Sequence, residues 1–204
     1  MKNPTIALIE GRISANLFDA GHTLTDADTE ELVRLATRAP TAYNLQNWRF
    51  IAVRTLDAKR RLQQLAHGQA KVSQAAVTFI VCGVVPDHAD IPARLSEFVQ
   101  AGFMSAATAS GWQDGARVQY ADPRTARDEA VRSATFGAAT LIHAAEAMGL
   151  VSGAMVGFDV EGVVRQFGLQ HDEIPVMLIA VGRAAPGNWP QKPRRPLTEV
   201  LQIL

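Results

Sequence analysis

The chain has 204 residues, 48% of them apolar and 20% charged, enough for one full domain and short for two. Twenty basic residues balance twenty acidic ones, so no net field exists to recruit nucleic acid or an anionic membrane surface. The single cysteine, Cys82, excludes an internal disulfide framework and cysteine-built zinc or iron–sulfur sites.

In chain order, Thr25 and Asp26 are capping residues ahead of Leu32, Leu35 and Ala36, which predicts a helix from Asp26 to Arg38, stopped by Pro40. Trp48 to Val53 reads as a buried strand, and Asp57 caps a short helix with Leu62, Leu65 and Ala66 on one face. Ala75 to Val85 is β-branched and reads as a central strand. Pro92 opens a helix over Leu95, Phe98, Val99 and Phe103. Asp122 and Pro123 form an N-cap and N1 pair, from which a long helix runs to Met148 and stops at Gly149. Its inner face is Ala130, Ala134, Gly137, Ala138, Leu141 and Ala145, small residues that let another backbone, of this chain or of a partner subunit, come close. Asp159 to Phe167 is a short helix closed by Gly168, and Pro175 to Gly182 a last apolar strand. Strands and helices interleave without a βαβ rhythm, so the expected fold is α+β, one sheet wrapped by helices in a single domain over residues 1–204.

The longest apolar run, Ala75 to Val85, is about half of the roughly 20 residues a membrane span needs, so no membrane association is expected. Met1 to Glu10 carries no signal-peptide pattern, and the expected compartment is the cytoplasm. No histidine pair has metal-ligand spacing, so no metal is expected. No phosphate-binding P-loop and no G-x-G-x-x-G after a strand occurs. Ser152 misses the G-x-S-x-G elbow by one position, and Cys82 lies inside an apolar strand. With no acid–base, metal or nucleophile template, no catalytic side chain is expected, and polar clusters suited to holding a ligand remain.

There are four such clusters. Arg12-Ile13-Ser14-Ala15-Asn16 sits in a loop-like stretch and offers a guanidinium fork beside a hydroxyl. Ala39-Pro40-Thr41-Ala42-Tyr43-Asn44-Leu45-Gln46-Asn47-Trp48 alternates amides and hydroxyls with aromatics ahead of a strand. Ser152 to Asp159 gathers small residues before a helix N-terminus, where backbone can approach a flat ligand. Gln191-Lys192-Pro193-Arg194-Arg195-Pro196 holds three cations stiffened by two prolines, which lowers the entropy cost of gripping an anion. The lysine there is one of only four in the chain, with Lys2, Lys59 and Lys71.

The order of these clusters is more specific than any one of them. Arg-x-Ser near the start, Ala-Pro-Thr-x-x-Asn-x-Gln-x-Trp, Gly-Phe-Asp after a long helix and Lys-x-Arg near the end resemble the FMN-dependent nitroreductase family from Glu10 to Val200. The Asn44–Trp48 stretch looks most like the small bacterial NAD(P)H nitroreductases of the quinone-stress type. The resemblance implies an intertwined homodimer of α+β subunits with two FMN sites at the interface, NADH or NADPH as reductant, and a small-molecule nitroaromatic or quinone acceptor reduced in ping-pong fashion. Enone reduction, dehalogenation and flavin binding without turnover are the alternatives.

It assigns Arg12, Ile13, Ser14 and Asn16 to the N-terminal FMN contact, and Thr41, Ala42 and Asn44 to contacts made by the partner chain. Gln69 and Lys71 match positions that reach the flavin ring, Val156 and Gly157 the backbone facing its N5, and Lys192 and Arg194 the phosphate grip. Asn16 stands where many members carry Lys or Arg, Asn47 where Pro is common, and Val156 where some carry Glu, substitutions that bear on redox tuning and substrate. The C-terminal Leu197 to Leu204 holds five apolar residues, too many for a free tail, and is expected to dock on the partner.

Overall fold

Four apolar runs, Trp48–Val53 (β1), Val77–Val84 (β2), Val151–Met155 (β3) and Glu173–Gly182 (β4), pair antiparallel in the order β1-β2-β4-β3. The computed structural model describes residues 3–204. Side chains alternate across the central strand, so β2 sends Phe79 and Val81 to one face and Ile80 and Cys82 to the other. The first face is covered by Asp26–Ala36 (α2) and Pro123–Ala147 (α7), which bring Leu32, Ala134, Ala138 and Leu141 onto it. The second is covered by Leu56–Leu65 (α3), Ala70–Gln74 (α4) and Val160–Phe167 (α8), through Leu62, Val72 and Val163. A third, smaller cluster joins Leu45 to Ile91–Gln100 (α5) and Ala106–Gln119 (α6) through Ile91, Leu95, Ala109 and Ala116. One sheet between two helical layers is the expected α+β fold, with this helical hairpin as an annexe.

The caps follow the sequence. Thr25 and Asp28 close a reciprocal capping box on α2, Asp122 caps α7 and Asp159 caps α8, which Gly168 ends at φ 63°. The α3 helix is capped by Thr55 instead of Asp57, which falls in its first turn. The small residues along α7 are spent on the chain's own sheet: a Cβ on Gly83 of β2 would stand 2.2 Å from the Ala130 carbonyl, and one on Gly137 2.9 Å from Phe50. They are therefore a close-packing device within the subunit. The outward face of α7 is a different set, with Phe136 about half exposed.

Four elements were not legible. Pro4–Gly11 (α1) has no buried residue. The α4 helix is a single turn. The α6 helix contains Gly111 and Gly115, which lower its helical signal. The β3 strand is five residues with a central glycine, and it occupies the stretch expected to be a turn before a helix. The α5 helix ends at Gln100, so Phe103 lies beyond it and is 74% exposed, while Ile91 and Leu95 do the burying. After β4 the chain has no regular element except a single turn at Leu197–Glu199, and Leu197, Ile203 and Leu204 are largely exposed on this subunit.

Candidate functional site

Arg12 is the residue at which α1 ends, so the Arg12–Asn16 stretch is the exit of a helix, not an isolated loop. It runs straight onto the sheet edge. Ser14 bridges Ser152 in parallel, and the Ala15 amide donates to the Ser152 carbonyl at 2.8 Å. Gly153 is what permits this approach, because a Cβ there would meet the Ala15 carbonyl at 2.3 Å and the Lys71 stem at 3.6 Å. The Lys71 ammonium donates to Asn16 Oδ1 at 3.3 Å, and Gln69 Nε2 donates to the Gly157 carbonyl at 3.0 Å. Val156 is 72% exposed, and the space a Gly157 Cβ would take is open. One turn of helix, one sheet edge and one helix exit thus bring Arg12, Ile13, Ser14, Asn16, Gln69, Lys71, Val156 and Gly157 to one place.

The C-terminal arm adds the rest. Phe18 bridges Ala184 in antiparallel fashion, and Gln191 Nε2 donates to the Arg12 carbonyl at 3.0 Å. Lys192 follows, its ammonium 5.7 Å from the Trp189 ring centre. Burial and then the nearby positive charge of Lys192 hold the Lys71 ammonium below the usual lysine range. Among the described residues, none of Arg12, Lys71, Lys192 and Arg194 forms an ion pair. Arg194 turns its Nη1 onto the Lys192 carbonyl at 2.7 Å. Burial pushes the Glu146 carboxyl upward, against the opposing pull of the Arg12 charge and the Ile13 amide. Lys71 and Lys192, brought close with no ion pair of their own among the described residues, are the electrostatic signature of an anion cradle, with Arg12 beside them facing Glu146. Asn16 fits this crowding, because it accepts from Lys71 where a basic residue would repel it.

Thr41, Ala42 and Asn44 lie elsewhere. They precede β1, on the opposite edge of the four-stranded sheet, three steps of about 4.8 Å or about 14 Å from β3. Tyr43, Asn44 and Gln46 all have positive φ, at 52°, 54° and 48°, a conformation that costs about 1–3 kcal/mol per non-glycine residue and clusters at functional sites. The Gln46 amide donates to Thr41 Oγ1 at 3.0 Å, the Tyr43 hydroxyl to Gln119 at 2.8 Å, and Leu45 is buried in the annexe, so the turn is over-determined. Asn44 and Gln46 open onto a cavity of about 490 Å³ walled by Arg94, Leu95, Phe98 and Trp112. The Asn47 side chain, where proline was the alternative, donates to the Val84 carbonyl at 2.9 Å and ties the turn to β2.

Sequence reasoning missed Gly153 as the contact that admits Ala15, and missed Asn188 altogether. Asn188 sits after Gly187, at φ 96°, and that Gly-Asn pair is the local signal of a tight turn. Among the described residues no group of three His, Cys, Asp or Glu could hold a metal, and no helix is long and apolar enough to cross a membrane.

A model of the nitroreductase family matches residues 9–183. The chain belongs to the nitroreductase family. YodC of Bacillus subtilis is 30% identical over 96% of each chain, and an NADH dehydrogenase of Thermus thermophilus is 35% identical over 84% of this chain and 82% of its own. A chain from Exiguobacterium sibiricum, crystallised in complex with FMN, has the same fold: its TM-score is 0.90 at 21% identity, covering 100% of this chain and 99% of that one. Family and fold are therefore those the sequence resembled.

Proposed function

We propose that this nitroreductase-family chain is an FMN-dependent NAD(P)H oxidoreductase that reduces nitroaromatic or quinone-type acceptors and works as a homodimer with two flavin sites. The observation that carries it is the approach of Lys71 and Lys192, neither in an ion pair among the described residues, beside the open Val156–Gly157 stretch. A flavin mononucleotide needs cations for its phosphate, amides for the ring edge and flat accessible backbone for the ring, and this donor set matches all three. Arg12, Ser14, Lys192 and Arg194 hold the phosphate. Asn16, Gln69 and Lys71 would hold the ring edge, and Val156 and Gly157 would offer the accessible backbone for its face.

FMN, when bound, supplies the hydride and electron chemistry between nicotinamide and acceptor, which accounts for a site built without a catalytic triad. The chain's residues orient and select. The aromatic cavity beside Asn44 takes the flat acceptor, and the same face serves NAD(P)H, because no separate nucleotide motif exists. One pocket used in turn gives ping-pong kinetics, with parallel double-reciprocal lines. The geometry also supports a shared site. Thr41, Ala42 and Asn44 precede β1, on the sheet edge opposite their own chain's cradle, and the apolar Leu197–Leu204 segment is exposed on its own subunit. A two-fold partner answers both needs.

The test is direct. The purified protein should be yellow and release FMN. Arg194→Ala should weaken FMN by about thirtyfold, equivalent to about 2 kcal/mol for one charged hydrogen-bonding group, with Lys192→Ala milder. Unchanged occupancy after dialysis of both variants contradicts the assignment.

A further inference from the structure

We propose that Asn188 is a positioning residue that clamps the C-terminal arm to the Arg12–Leu17 segment and so assembles the two halves of the anion cradle. Its carboxamide makes four hydrogen bonds. Oδ1 accepts from the Asn16 amide at 2.8 Å and the Leu17 amide at 3.0 Å, while Nδ2 donates to the Leu17 carbonyl at 2.7 Å and the Ala185 carbonyl at 3.1 Å. That uses both donors and both acceptor positions of the side chain. No other residue type of this size presents two donors and two acceptors in one plane.

The consequence is geometric. One half of the cradle, Arg12 to Asn16, is pinned to β3 by the Ala15 amide. The other half, Lys192, is carried by an arm with no regular structure and almost no buried residue. Between them the backbone makes two joints, Asp19 to the Arg183 carbonyl at 3.0 Å and Ala185 to the Leu17 carbonyl at 3.2 Å. Asn188 is the last strong fixture before Lys192, with Gln191 on the Arg12 carbonyl as a single further bond. Gly187 makes the turn that returns Asn188 to Leu17, and a Cβ there would sit 3.2 Å from the Leu17 side chain. Holding the arm here places Lys192 near Lys71 against their mutual repulsion, before any anion arrives. The cradle is pre-organised by an uncharged side chain whose four hydrogen bonds all go to backbone groups.

The clamp and its effect on flavin are tested separately, because the second rests on the flavin-phosphate assignment above. In the flavin-free protein, hydrogen exchange should report the two amides that Asn188 caps. Asn188→Ala should speed exchange at Asn16 and Leu17 by at least about tenfold and leave the Ala15 amide, bonded to Ser152, protected. Unchanged exchange at Asn16 and Leu17 overturns the clamp. Binding of FMN is then compared with binding of riboflavin, which lacks the phosphate. Asn188→Ala should reduce the FMN-to-riboflavin affinity ratio by about tenfold, and Gln191→Ala should reduce it less, as one bond against four. A residue with a merely structural role would weaken both flavins equally. That outcome, an unchanged ratio with faster exchange, overturns the coupling to the cradle. A wild-type protein that holds both flavins equally refutes the phosphate assignment instead, while the exchange result still decides the clamp.

Discussion

The two edges of the sheet are built on opposite electrostatic plans. At the β1 edge the charges are matched: Arg49 meets Glu173 at 2.7 Å, Arg94 meets Asp90 at 2.7 Å, and Arg54 meets Asp26. At the β3 edge Lys71 and Lys192 approach each other with no ion pair among the described residues, and the Lys71 ammonium has only the Asn16 amide oxygen to donate to. The β1 edge instead offers a strained turn and an aromatic cavity. One edge is suited to an anion and the other to a flat apolar molecule, and a ligand with both characters needs the two together. Within one subunit they are three strands apart. The difference is what the proposed homodimer would resolve, each flavin site taking its cradle from one chain and its turn from the other.

That contrast can be broken at either edge. The largest effect is expected at Gly153. Gly153→Ala drives a methyl into the Ala15 carbonyl and forces the Arg12–Asn16 segment off β3, at a cost of about 2 kcal/mol. FMN affinity should fall more than about tenfold, whereas Gly157→Ala, which enters open space, should leave the melting temperature unchanged. Thermal denaturation and flavin titration of the two variants separate a close approach from an empty one.

Removing the segment after Pro196 is the next test. Five apolar residues leave the chain, the dimer should weaken, and bound FMN should be lost on dilution by mass action, with an apparent affinity reduced about tenfold. Sedimentation with absorbance at the flavin band follows both quantities at once.

The smallest effect is expected at the matched edge. Glu173 is buried enough to raise its pKa, but hydrogen bonds from Arg49 and the Gln170 amide outweigh burial and hold it below the usual glutamate value. A carboxylate with a lowered folded pKa adds stability above its unfolded pKa and loses it as pH falls through the folded one. Arg49→Ala should therefore cost about 1 kcal/mol at neutral pH, discounted because Arg49 is 44% exposed. The deficit should close below the unfolded value near pH 4.5. Denaturant melts across that range should show no change in FMN affinity, since this pair lies away from the cradle.

How much of this was legible follows from what each signal depends on. The long helix from Pro123, the central strand and the caps at Thr25, Asp122 and Asp159 are local, and periodicity with capping chemistry finds them. Family motifs singled out the residues that the structure gathers at the β3 edge and those that form the turn before β1. The β3 strand escaped because Ser152-Gly153-Ala154 has no β-branched residue, and its strand character comes from pairing with β4. Gly153 and Asn188 escaped for the same reason: each matters through one contact with the Ala15–Leu17 stretch, and for Asn188 that partner is more than 170 positions away in sequence. The small face of α7 left two partners open, its own chain or another subunit, and the backbone it meets is that of its own sheet.

The shared site is the central claim, and subunit mixing tests it most directly. Arg194→Ala damages the cradle and Asn44→Ala damages the turn, so each homodimer has two impaired sites. A mixed dimer should contain one intact site and one doubly damaged site, and activity should rise on mixing toward about half the wild-type value per dimer. Recovery that tracks the heterodimer fraction is the result expected from a site shared across the interface. No recovery despite demonstrated subunit exchange, or full activity from a sedimenting monomer, would contradict it.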